Sequence, residues 1–152
     1  MATPRRNNRS PSAQLKAIAY LDNILAKEEA RARGAEEALM LDSDGHLACA
    51  SAANIFIWAN GRLLTPSVDC GVLPGIVRAA ILELAPGLGI ETREDRIAVS
   101  RLPEIEGAFL TNSLIGVVSL TRIGERALPA HPLTARLAAA YELLLDSADR
   151  NG

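Results

Sequence analysis

The residues best suited to chemistry in this chain are a lysine ahead of a helix, a tyrosine, a glycine loop and a short polar run. Lys16 opens the stretch LKAIAYLDNILAKEEARARGAEEAL, with Tyr20 four residues on and a glycine stop at Gly34. An amine held in a confined site can give up its proton and form an imine with a carbonyl compound. In DCGVLPGIVRAAIL a glycine loop leads into a helix. Free backbone N–H groups and the helix dipole favour a phosphate at such a start, and Gly75, Ile76 and Val77 would present those groups. Asn112 and Ser113 end the strand-like AFLTN run. They suit phosphate or substrate contacts, or plain turn chemistry. Cys49 has no histidine placed to activate it and reads as a small buried hydrophobe. His46 and His131, in a hairpin turn and a proline loop, are expected at the surface rather than as ligands.

These residues need elements to hold them. Apolar residues at helical spacing predict a helix through Leu21, Ile24 and Leu25, with Asp22 as a possible N-cap and Gly34 as its end. EALMLDSDGHLACA reads as two strands around Asp-Ser-Asp-Gly, and NIFIWANGRLLTP as a hairpin with Asn60-Gly61 at its tip. A helix follows, with Pro74 near its first turn. IETREDRIAV is strand-like, Ser100 caps a short turn, and AFLTN and SLIGVVSLTRIG supply further strands. An Ala/Leu-rich helix runs from Pro132 to Ala148. Strands and helices interleave, so a mixed α/β or α+β domain is expected. Residues 1–12 are expected to be a disordered tail or linker remnant, and residues 13–149 the domain.

Composition narrows the function. The chain has 152 residues, enough for one domain with a core, and is 49% hydrophobic but only 3% aromatic. Leu, Ile, Val and Ala must therefore fill that core. A net charge of −2, from 16 basic and 18 acidic residues, argues against nucleic acid as a partner. No apolar run is long enough for a bilayer. The basic start lacks the apolar region of a secretory signal, so the cytoplasm is the expected compartment. Two cysteines outside any CxxC arrangement suggest neither a disulfide framework nor a metal site.

Four segments resemble the class IV, fold type IV pyridoxal-phosphate enzymes. RSPSAQLKAIAYLDNILA is similar to their "K-x-x-x-Y-L-x-N-x-L-A" segment, and GHLACASAANIF to "G-x-V-T-E-x-x-x-x-N-L-F", where Asn54 matches. DCGVLPGIVRAAIL resembles "D-x-G-x-L-x-G-(I/V)-T-R", and AFLTNSLIGVVSL resembles the "F-L-T-N-S-L-x-G-V-x-P-V" stretch of aminodeoxychorismate lyases. The resemblance implies the larger, C-terminal, barrel-like domain of that fold. It also implies pyridoxal 5′-phosphate as cofactor, Lys16 as its covalent anchor and proton carrier, and Tyr20 near its phenolic oxygen. Cys49, Asn54, Gly75, Ile76, Val77, Asn112 and Ser113 are the further implied cofactor contacts. Two positions depart from the pattern. Cys49 stands where the family carries the glutamate that pairs with the pyridine nitrogen, and Val77 replaces a threonine. The implied reaction is release of pyruvate from 4-amino-4-deoxychorismate, giving 4-aminobenzoate for folate synthesis. Branched-chain or D-amino-acid transamination and an inactive remnant are the alternatives. A homodimer acting on a small amino substrate is expected, and the resemblance covers only the second half of a family member.

Overall fold

The structure is a computed structural model that describes residues 1–16 and 20–151. Its first helix, α1 (Leu21–Ala32), ends where Gly34 takes φ +72°: Gly34 N–H donates to Arg31 O and Ala35 N–H to Ala30 O, the 5→2 and 6→1 bonds, respectively, of a Schellman stop. Asp22, expected as a cap, lies inside the first turn, and Tyr20 takes the N-cap position without a side-chain bond.

Strands β2 (Leu39–Asp42) and β3 (Leu47–Ala50) pair antiparallel. Strand β1 (Arg5–Arg6) adds to β2 in parallel. The segment expected as a disordered tail thus lies against the domain, with Ala2 buried and its N–H donating to Leu39. Next come β4 (Asn54–Ala59) and β5 (Arg62–Pro66), joined by Asn60 at φ 53° and Gly61 at φ 70°. Two left-handed residues in succession give the primed turn that matches strand twist.

Helix α2 (Ile76–Gly87) precedes β6 (Thr92–Asp95). A 3-10 turn spans Val99–Glu104, with Ala98 rather than Ser100 at its N-cap. Then follow β7 (Gly107–Asn112), β8 (Gly116–Ser119), β9 (Arg122–Ile123), β10 (Arg126–Ala127) and α3 (Pro132–Asn151). A five-stranded sheet runs β6-β5-β4-β7-β8, beside the three-stranded β1-β2-β3 sheet.

Three apolar clusters explain the layering. Leu39, Leu41 and Leu47 of the small sheet meet Ile55, Ile57, Leu64 and Leu110 of the large one. On the outer face of the large sheet, Phe56, Trp58 and Phe109 pack under Val77 and Ile81 of α2 and Leu137 and Tyr141 of α3. On the outer face of the small sheet, Met40, Ala48 and Cys49 pack under Ala26 and Ala30 of α1. Helices therefore sandwich two sheets, a mixed α/β barrel-like body. With both faces covered, β2, β3 and β4 are buried at every position.

Candidate functional site

The ends of β3 and β7, the start of β4 and the beginnings of α1 and α2 converge on a cavity of about 400 Å³. That volume falls in the range of about 300–1,000 Å³ of small-molecule and cofactor sites. Lys16, Tyr20, Cys49, Asn54, Gly75, Ile76, Val77, Asn112 and Ser113 all lie on its wall. Residues far apart in sequence are thus brought to one place. A larger cavity, about 810 Å³, lies between the end of α1 and β8–β9, but holds none of these nine. The smaller one is the candidate site.

Lys16 is exposed and stands at the cavity edge. The turn before it is anchored by Arg6. The Arg6 guanidinium donates to Ala13 O at 2.5 Å, Gly71 O at 3.1 Å and Asn23 Oδ1 at 3.1 Å. Asn23, buried on α1, passes the link on by donating to Ser51 O at 2.7 Å. Arg6 thus binds the lysine's turn, the first helix and the 67–71 loop together, and itself lines the cavity. Sequence reasoning missed it, because a basic arm has the same composition whether free or docked.

Cys49 is buried, and loss of solvation pushes its thiol up to about 11. It stays protonated and neutral near pH 7. Burial also raises the Tyr20 phenol. The acid Glu37 acts on both from nearby, but lies outside the wall: it takes hydrogen bonds from the Ser51 hydroxyl and Ala38 N–H, and pairs with Lys27 at 3.0 Å. Among the described lining residues there is no carboxylate, while Arg6 and Lys16 bring two cations. The field in the cavity favours an anion.

Helix α2 starts at Gly75 with no side chain capping it, so its first N–H groups are open to a ligand. Asn54 fixes the approach, donating from Nδ2 to Leu73 O at 2.9 Å. Val77 is buried in the cluster under α2 and brings only its backbone. The Asn112 amide is bonded at both ends: Nδ2 donates to Ala52 O at 2.9 Å, and Oδ1 accepts from Leu114 and Ile115 N–H at 2.8 and 2.9 Å. It shapes the turn that carries Ser113 and Leu114. Thr111 was also missed. It is fully buried, lines the cavity, and its Oγ1 has no hydrogen-bond partner among the described residues. The Thr-Asn-Ser run held the signal, but only packing shows which hydroxyl is buried without a partner. His131, expected at the surface, is instead half-buried and stacked on Trp58 at 4.1 Å.

Comparison with known proteins follows the same lines. The model of the amino-transferase class IV family matches residues 1–123. Aminodeoxychorismate lyase of Bacillus subtilis is 36% identical over 122 residues, covering 80% of this chain and 41% of the lyase. The crystal structure of a branched-chain aminotransferase from Thermoproteus uzoniensis with norvaline superposes with a TM-score of 0.90 at 34% identity, over 93% of this chain and 48% of that one. The PLP-form of the Thermobaculum terrenum enzyme gives 0.87 at 27% identity, over 94% and 48%. The chain spans less than half the length of each of these. With the family model covering most of its residues and the fold matching throughout, the chain belongs to the class IV aminotransferases.

Proposed function

We propose that this chain carries the cofactor-binding part of a pyridoxal-phosphate enzyme that eliminates pyruvate from 4-amino-4-deoxychorismate, leaving 4-aminobenzoate. One observation carries the cofactor reading. Among the described residues, a single cavity joins the uncapped start of α2, a buried hydroxyl without a partner, two cations and no carboxylate. That donor set fits a phosphate-bearing ligand. Gly75, Ile76 and Val77 would hold the phosphate through backbone N–H groups, and Tyr20 would face the ring's phenolic oxygen.

When bound, the cofactor supplies an electron sink next to the substrate's amino-bearing carbon. The chain supplies the rest. The Lys16 amine takes the proton from that carbon and delivers one to the departing pyruvate, so the ring becomes aromatic as the carbon–oxygen bond breaks. Asn112 sets the turn beside which the substrate lies. Cys49, neutral where the family carries a glutamate, leaves the sink weak. Aromatisation of the product supports elimination under that handicap better than it supports transamination.

The second reading, transamination of a branched-chain amino acid, rests on Ile76 and Leu114. These aliphatic residues are 80% and 95% exposed at the cavity rim and suit an aliphatic side chain. Assays with amino-acid and keto-acid pairs separate the two reactions. The prior test is the absorbance of the chain with pyridoxal phosphate, followed by borohydride reduction and peptide mapping. A visible band with the label on Lys16 is expected. Label scattered over other lysines would mark a fold without a working cofactor site. We propose also that the chain is a homodimer, supported by Leu21, Ile24 and Leu25 of α1, each at least 50% exposed. Sedimentation equilibrium should give twice the chain mass; a concentration-independent monomer refutes this.

A further inference from the structure

We propose that Thr111 is a ligand-binding residue of the cavity, its hydroxyl donating to the phosphate group held at the start of α2. The inference rests on the pyridoxal-phosphate reading and deepens it. Three buried threonines make the case by contrast. Thr65 donates to Ile55 O at 2.8 Å, and Thr134 accepts from the Trp58 indole at 2.8 Å. Thr111, equally buried, has no partner for Oγ1 among the described residues. A buried hydroxyl without a partner costs free energy that folding alone does not return.

Its place in the sheet says what it serves. Thr111 on β7 is directly opposite Asn54 on β4, and two residues along, Phe109 is opposite Phe56. Alternate residues of a strand share a face. The Phe56–Phe109 stack, 4.9 Å between ring centres, packs in the cluster that holds Val77 and Ile81. Asn54 and Thr111 therefore form the polar end of the sheet face covered by α2. Asn54 is occupied with Leu73 O in the loop entering the helix. Among the described residues, Thr111 brings a fully buried side-chain hydroxyl without a partner to the wall that also contains Gly75, Ile76 and Val77. Val77 in the first turn has no hydroxyl to give; Thr111 would supply one from β7.

The test compares Thr111→Val and Thr111→Ser with the parent protein, titrated with pyridoxamine 5′-phosphate and with pyridoxamine. Neither probe labels lysines. The parent should prefer the phosphorylated probe. Thr111→Val should weaken that probe roughly 10- to 100-fold, as for a hydrogen bond to a charged group, and leave pyridoxamine unchanged. Thr111→Ser should bind as the parent does. Without ligand, Thr111→Val should melt no lower than the parent, because it removes an unsatisfied group. Equal affinity of Thr111→Val and parent for the phosphorylated probe overturns the proposal alone. So does equal loss for both probes, or a lowered melting temperature. A parent protein that binds both probes equally, or neither, overturns the phosphate reading and the role of Thr111 with it.

Discussion

At the residue scale, Cys49 is the buried, neutral departure from the family pattern in the wall of the candidate site. Its thiol is pushed by burial from 9.0 to about 11, and so is that of Cys70, where Asp42 adds to the effect. Folding thus favours the protonated form of each. Stability from these groups is complete below the unfolded value near 9 and falls as pH rises towards 11. Melting temperatures should therefore decline over that window, and a Cys49→Ala/Cys70→Ala double variant should decline less; equal slopes would remove the thiols as the cause. In activity, Cys49→Glu tests the neutral-wall argument. With pyridoxal phosphate present, transamination should gain more than elimination. A large gain in elimination with none in transamination would refute the preference for the lyase reaction.

At the scale of elements, the loop entering α2 shows how the site is built. A methyl group on Gly75 would overlap Asn54 Oδ1, whose amide is already held by Leu73 O. Gly75→Ala should destabilise by roughly 1–3 kcal/mol, as overpacking does, and weaken cofactor binding. In the Asn54→Ala background the same change should cost less, because the overlapping atom is gone, and a double-mutant cycle in urea would read that coupling. Additive costs would show that Asn54 and Gly75 do not meet. Part of this was legible in the sequence, since Asn54 and Gly75 were both singled out. Their contact was not, because nothing local in a strand start reveals which loop its side chain meets. The hairpin at Asn60-Gly61 and the stop at Gly34 were legible for the opposite reason: each depends on a few neighbouring residues and their φ values.

For the whole molecule, the helix layer over the large sheet depends on a few long-range ties. Trp58 on β4 donates to Thr134 at the start of α3, buried and 76 residues apart. Thr134→Val leaves the indole N–H without a partner and should cost about 1–3 kcal/mol by denaturant unfolding; an unchanged midpoint would show that the tie carries no stability. Among the described residues, no helix is long and apolar enough to cross a membrane.

The sequence by itself determined the element order, most turns, the family resemblance and nine residues that share one cavity wall. These follow from local periodicity, from glycine and proline chemistry, and from short runs whose spacing survives in one dimension. Tertiary structure decided the docking of residues 1–12, the burial of Asn23, the stacking of His131 on Trp58 and the isolation of the Thr111 hydroxyl. Each of these depends on which distant segment fills the space beside a side chain. An arginine in a polar arm or a threonine at a strand end has the same local sequence whether solvent, protein or ligand satisfies it, and only packing distinguishes the three.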